Sequence, residues 1–146
     1  MTSSAQARTT STARYERGTW LFALAFALLV SHELDAMIRR EWELFPGLNA
    51  LDSDTAADVF NLLNVPLIAP LIWVLTAGSG IARRRTMIGV EVFLIVHAVA
   101  HTLTRGADSY EFQPPVETIT VYGAAGASAI HLTLLATGRL SDRSSE

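Results

Sequence analysis

The chain has 146 residues and no cysteine; half of its residues are hydrophobic and only 17% are charged. This length indicates one domain, and the lack of cysteine excludes disulfides and thiolate ligands. The apolar content favours a small membrane protein over a soluble helical bundle, and a net charge of −3 argues against nucleic acid as a partner.

Four apolar segments follow a polar stretch that is predicted to be a disordered cytosolic tail over residues 1–17. They predict helices at about 18–38, 56–77, 86–104 and 115–137 within a transmembrane domain over 18–138, followed by a polar tail over 139–146. Each segment is close to the ~20 residues that cross a ~30 Å hydrocarbon core. The first segment also resembles a secretory signal, but no small-x-small cleavage site follows it, so we expect it to be retained. The predicted fold is an all-α integral membrane four-helix bundle.

Arginine placement predicts the orientation of this bundle. Arginines concentrate in the N-terminal tail, in the predicted second loop at Arg83 to Arg85 and in the C-terminal tail, whereas the first and third loops are acidic. Because basic segments tend to stay on the cytoplasmic side, both termini are expected in the cytoplasm. The expected location is the plasma membrane, with the lipid bilayer as a partner.

Each predicted helix carries one narrow stripe of polar residues. Spacings of three or four residues place the members of a stripe on one helix face, and lipid cannot solvate them. The four stripes should therefore face one another and form a polar pocket in the outward half of the bundle. The stripes are His32 with Asp35; Asp58 with Asn61 and Asn64; His97 with His101; and Glu117 with Thr120, Ala124, Ser128 and His131. Pocket lining is predicted for Asp58, Asn61, Asn64 and Tyr122.

The predicted ligands of one divalent metal ion are His32, Asp35, His97 and His101. Imidazole and carboxylate suit Zn or Fe, and bundles build metal sites from side chains on facing helices. Glu33 or Glu117 would serve as the catalytic acid or base. Two alternatives stay open: a metal-free acid–base or ligand-binding pocket, and a hydrogen-bonded network that fixes helix register.

Three further features complete the pattern. Glu91 lies about 120° around its helix from His97, so it is expected to pair elsewhere or to extend toward the cytoplasm. His131 is too far inward for the cluster, which favours a hydrogen-bonded core histidine over a ligand. The segment from Glu41 to Pro46 has the amphipathic, aromatic composition of an interfacial segment and could cover the mouth of the pocket.

The run His32-Glu33-Leu34-Asp35, followed by Glu41-Trp42-Glu43, resembles a signature of small bacterial membrane proteins of unknown function. The chain is more loosely similar to the HXXEE family of small membrane proteins, which it matches at His32 and Asp35, whereas position 36 is Ala in place of the second acid. The similarity covers roughly the first third of the chain. Neither resemblance implies an established activity.

In layout the chain is also similar to the four-helix EXPERA-type proteins, which include sterol isomerases and sterol-binding receptors. The shared features are four helices, cytosolic termini, a proline-bearing second helix and polar residues in the first helix. This similarity implies an acid and a histidine that move a proton in a lipid-filled pocket.

Three functions follow as expectations. The leading one is a metal-dependent membrane enzyme that acts on a lipid-like or otherwise apolar substrate, in which a bound Zn²⁺ could lower the pKa of a water toward ~7. The second is a metal-free protein that binds or isomerises a sterol-like or isoprenoid-like molecule. The third is a structural or accessory membrane subunit.

The arginine pattern makes the orientation testable. A reporter fused after Glu146 should be active in the cytoplasm and silent outside, because basic segments resist translocation. Labelling of the same C-terminus from the exterior of intact cells would contradict the predicted orientation.

Overall fold

A computed structural model describes the backbone of residues 3–112 and 114–137, and the side chains of these residues from Thr19 onward. The described chain is all-helical with four long helices, which confirms this part of the predicted fold. Its long helices are α1 (Ser3–Ile38), α2 (Ser53–Ala77), α3 (Gly80–Thr104) and α4 (Gly123–Ala136). A 3-10 helix at Glu41–Leu44 lies in the first loop, and a π-helical turn at Thr118–Tyr122 leads into α4.

Four helical segments are long and apolar enough to cross a membrane, which indicates a membrane protein. These segments are Thr19–Ile38, Ser53–Ala77, Gly80–Thr104 and Thr118–Ala136. Consecutive helices run in opposite directions, so the loops α1–α2 and α3–α4 share one end of the bundle. We call this the site end. The α2–α3 connection lies at the opposite end.

Two boundaries differ from the predicted ones. The backbone of residues 3–17 is helical and continues into α1, where the composition predicts a disordered tail; its Ala, Gln and Arg residues are compatible with a helix. Helix α3 begins at Gly80, upstream of the predicted start at residue 86, because Ser79 caps it by accepting a hydrogen bond from the Ala82 amide. Arg83 to Arg85 therefore belong to α3. The predicted polar tail over 139–146 lies outside the described residues.

Helix α4 packs against both α1 and α3 and forms the centre of the bundle. Small residues on α4 allow this close packing, since Ala124 and Ala127 are buried against Ala25 and Leu29 of α1 and Val90 and Leu94 of α3. At Gly123, an added Cβ atom would lie 3.4 Å from the side chain of Leu28.

Helix α2 is the peripheral helix of the bundle. It packs against α3 and the 3-10 helix, and Ala56 is the one side chain of α2 that is buried. Its apolar side chains, such as Leu62, Val65 and Trp73, are more than half exposed. This loose attachment leaves a cavity between α2, α1, α3 and the first loop.

Candidate metal centre

The first loop turns the chain back toward α1 immediately after that helix ends. Arg40 adopts the left-handed conformation, with φ 55° and ψ 43°, which is common just past helix C-termini. Its guanidinium donates a hydrogen bond to Ser53 Oγ over 3.2 Å and pairs with Glu43. The 3-10 helix that follows brings the Glu41 carboxylate against His32, nine positions earlier in the chain.

Three imidazoles and one carboxylate converge at the site end. His32 Nε2 lies 2.9 Å from His97 Nε2 and 3.4 Å from Glu41 Oε2, and His101 Nε2 lies 3.6 Å from Glu41 Oε1. One potential ligand atom from each of the four residues lies within 4.8 Å of the others. We call this group the His–Glu cluster. Metal–nitrogen and metal–oxygen bonds of 2.0–2.2 Å in a tetrahedron separate the ligand atoms by about 3.3–3.6 Å. The contacts of 3.4 and 3.6 Å match this spacing, and the widest pairs of the cluster would have to move closer to bind one ion.

Burying these polar side chains costs folding free energy unless each one finds a hydrogen-bond partner or an ion. The side chains of His32, His101 and Glu41 are all at most 5% exposed, and within the described residues His101 Nε2 is buried without a hydrogen-bond partner. Such orphaned buried atoms are uncommon and are often explained by an ion or a water. A divalent cation would bind the free lone pair of His101 Nε2.

The acidity of Glu41 agrees with a ligand role. Burial acts to raise the pKa of Glu41. The neighbouring imidazoles of His101, His32 and His97 outweigh this effect and lower the pKa to about 2. The carboxylate is therefore ionised at neutral pH, as a metal ligand must be.

Asp35, the fourth predicted ligand, is not brought into the His–Glu cluster. It is buried one turn beyond His32 and accepts a hydrogen bond from Arg39 Nε over 3.4 Å. The i, i+3 spacing correctly places it on the same side of α1 as His32, but Glu41 fills the position that Asp35 was expected to take. The three predicted histidine ligands are brought together.

Glu117, predicted as a catalytic acid or base, lies near Nδ1 of His101, whereas Glu41 of the His–Glu cluster lies near Nε2. It is 1% exposed, accepts hydrogen bonds from Arg105 over 3.2 and 3.4 Å, and accepts another from the Tyr110 hydroxyl. Tyr110 is also 3.0 Å from His101 Nδ1. Burial, and then the hydrogen bond to Glu117 and its charge, raise the pKa of Tyr110, so the phenol keeps its proton.

Glu33, the other predicted acid or base, lines a cavity of about 260 Å³ between α1, α2, α3 and the first loop. The apolar lining consists of Phe45, Leu48, Phe60, Leu63, Leu67 and Phe93. The polar lining consists of Glu33, Glu41, Asn64 and His97. Because Glu41 and His97 belong to both, the cavity reaches directly to the His–Glu cluster.

Of the other predicted lining residues, Asn64 lines this cavity, whereas Asp58 and Asn61 are exposed on α2. An i, i+3, i+6 stripe drifts by about 120° around a helix, so a peripheral helix cannot bury all three members. Tyr122 is half-buried away from the cavity, where its hydroxyl is 3.1 Å from Thr102 Oγ1 and Arg105 lies over its ring.

The polar stripe of α4 faces the bundle interior as predicted, since Glu117, Thr120, Ala124, Ser128 and His131 are all buried. Its inner member forms a second polar layer. His131 Nδ1 lies 2.5 Å from Glu91 Oε1, and both residues are buried. Both predictions are confirmed: Glu91 pairs away from His97, and His131 is a hydrogen-bonded core histidine.

Sequence reasoning missed three residues of the site: Glu41 as a cluster member, and Tyr110 and Phe112 as its wall. The Phe112 ring packs against those of His32 and His101, with centroids 5.4 and 4.7 Å apart. All three lie in loops, where no helical periodicity indicates the direction of a side chain. The one available signal is the resemblance, since the Glu-Trp-Glu part of the quoted signature begins at Glu41.

A family model matches residues 18–138, which contain the four spans and the whole His–Glu cluster. The chain belongs to DUF6713, a family of unknown function. No curated protein and no solved structure matches it. The expectation that the chain belongs to an uncharacterised family is therefore confirmed.

A double substitution tests whether the Glu91–His131 pair has a purely structural role. Glu91→Leu should lower the free energy of unfolding in detergent by about 3–5 kcal/mol, because it leaves a buried imidazole unpaired. The double variant Glu91→Leu/His131→Leu should regain most of this loss, since an apolar pair needs no partner.

Val92→Leu, at a half-exposed position next to Glu91, is the matched control and should unfold like the wild type. A double variant no more stable than Glu91→Leu would argue against a purely structural pair.

Proposed function

We propose that the chain is a multi-pass plasma-membrane protein that binds one divalent transition metal, Zn or Fe, and acts as a metal-dependent enzyme on a lipid-like or otherwise apolar substrate. The observation that carries the proposal is the His–Glu cluster: three buried ligand-type side chains and the half-buried His97, with ligand atoms within 4.8 Å of one another and His101 Nε2 without a hydrogen-bond partner. With both termini in the cytoplasm, the site end would lie in the outward half of the bilayer.

The donor set fits these metals. His32, His97, His101 and Glu41 supply three imidazoles and one carboxylate, a combination suited to Zn and to non-haem Fe. Four protein ligands fill a tetrahedral Zn²⁺ site, so substrate would require five-coordination or the departure of one ligand, whereas six-coordinate iron keeps two positions open. A bound ion would polarise a substrate oxygen or activate a water there.

The substrate class follows from the cavity. Its lining is mostly apolar, and Leu63, Leu67 and Phe93 are about half exposed within the spanning segments. In a bilayer these side chains face lipid, so an apolar molecule can enter from the membrane. His97 and Glu41 meet it at the polar end, and Glu33 in the cavity wall is the residue placed to accept or donate a proton.

A metal-free function is the second candidate. The 2.9 Å contact between His32 Nε2 and His97 Nε2 is a hydrogen bond in which one ring donates and the other accepts, so two of the imidazoles are partnered without an ion. In this case the same cavity would bind, or isomerise by proton transfer, a sterol-like or isoprenoid-like molecule. Metal content separates the two candidates.

Elemental analysis of protein purified in mild detergent tests the metal site. The wild type should carry about one Zn or Fe per chain. His97→Ala, His101→Ala and Glu41→Gln should each lose most of it, because a four-ligand site rarely tolerates removal of one ligand.

Two variants serve as matched controls for this measurement. Asp35→Asn changes the neighbouring carboxylate and His131→Ala changes a buried histidine outside the cluster; both should keep the ion. No Zn, Fe, Mn or Cu above background in the wild type would favour the metal-free candidate. Equal loss in Asp35→Asn and Glu41→Gln would contradict the ligand set.

The acidity of Glu41 predicts how the ion leaves on acidification. Because the pKa of Glu41 is about 2, this carboxylate stays ionised from pH 7 down to about pH 4 and takes up no proton when the ion leaves within that range. Loss of the ion between pH 7 and pH 4 should therefore not involve protonation of Glu41.

The measurement is the number of protons taken up per ion released, read from the slope of metal affinity against pH. Glu41→Gln should bind more weakly with the same slope as the wild type. A shallower slope in Glu41→Gln would mean that the carboxylate titrates with the ion.

A further inference from the structure

A chain of hydrogen bonds runs from His101 to the surface of the site end. His101 Nδ1 lies 3.0 Å from the Tyr110 hydroxyl, and that hydroxyl donates to Glu117. Glu117 accepts two bonds from Arg105, at 3.2 and 3.4 Å, and the Arg105 side chain is 47% exposed. The chain thus begins at a cluster residue and ends at a solvated cation.

The donors and acceptors in this chain have one consistent arrangement. Arg105 always donates, and the Glu117 carboxylate that pairs with it accepts only. Tyr110 has a single proton, which goes to Glu117, so the phenol oxygen is left as an acceptor toward His101. The His101 Nδ1 must therefore carry a hydrogen and donate it to Tyr110.

We propose that Tyr110 and Glu117 are positioning residues that hold the proton of His101 on Nδ1, so that Nε2 presents its lone pair to the His–Glu cluster. The inference rests on the proposed metal site in one respect: the free lone pair has a function only if the cluster binds an ion. The tautomer itself is independent of any ion. It agrees with the lack of a hydrogen-bond partner at His101 Nε2, because this lone pair and the Glu41 carboxylate are both acceptors and would be brought together only by a cation between them.

The inference assigns Glu117 a role different from that of a catalytic acid or base. Its carboxylate oxygens are occupied by Arg105 and Tyr110, and it is not among the residues that line the cavity. Glu117 therefore acts on the site through Tyr110 and His101. Partners of this kind fix the tautomer and ring orientation of a metal-binding histidine, and their loss typically weakens metal binding about 10–100-fold.

The first test reads the tautomer in metal-free protein. Nitrogen-15 chemical shifts of labelled histidine should show His101 with hydrogen on Nδ1 in the wild type. Glu117→Gln should shift His101 toward the Nε2–H form, because an amide can donate to the phenol oxygen and release the Tyr110 proton toward Nδ1. Tyr110→Phe should remove the preference altogether.

Tyr122→Phe is the matched control for these variants. Its hydroxyl is next to Thr102 and its ring is next to Arg105, so it shares the neighbourhood without joining the chain to His101. This variant should keep the wild-type tautomer. Unchanged thermal unfolding of Tyr110→Phe would show that the ring still packs.

The second test measures Zn²⁺ and Co²⁺ affinity of the same proteins. Tyr110→Phe should bind about 10–100-fold more weakly than the wild type, and Tyr122→Phe should bind equally well. Wild type that binds no metal but keeps hydrogen on Nδ1 would support the positioning role and overturn the metal site alone. A wild-type Nε2–H tautomer, or a Tyr110→Phe variant with the wild-type tautomer and affinity, would overturn the positioning role.

Discussion

The buried polar side chains of three packed helices need partners inside the bundle, and this constraint organises the site end. Lipid offers neither hydrogen bonds nor charge compensation, so each buried imidazole or carboxylate must find another polar group or an ion. Helices α1, α3 and α4 meet this requirement in two layers. The Glu91–His131 layer is held by one direct hydrogen bond between the two side chains, which leaves Glu91 Oε2 without a hydrogen-bond partner among the described residues. The His–Glu cluster at the site end brings four such groups together and still leaves His101 Nε2 unpartnered.

The difference between the layers has a functional meaning. The Glu91–His131 pair consists of two groups and joins α3 directly to α4. The His–Glu cluster instead brings together four ligand-type groups, and it adjoins the cavity beside α2. Helix α2 lies against α3 and the 3-10 helix rather than deep in the bundle. The cavity exists because of this peripheral position, and it joins an apolar entrance to the polar cluster at His97.

The loops supply what the helices lack. Left-handed Arg40 turns the first loop back so that Glu41 completes the cluster on one side of His101. The third loop contributes Tyr110 on the other side, where it links His101 to Glu117 and Arg105. His101 is thus held between a carboxylate at Nε2 and a phenol at Nδ1. Its two ring nitrogens have separate roles, which is the usual division in metal-binding histidines.

Sequence alone determined the four helical segments, the grouping of His32, His97 and His101, and the inward direction of the α4 stripe. These follow from helical periodicity and the exclusion of polar groups from lipid, which act along each helix separately. Only the tertiary structure decided that Glu41 joins the histidines instead of Asp35, that Glu117 lies behind His101, and that Asp58 and Asn61 are exposed on α2. Those outcomes depend on how the chain turns at Arg40 and Tyr110 and on the peripheral packing of α2. Periodicity carries no information about such turns, because a loop side chain is directed by contacts with distant parts of the chain.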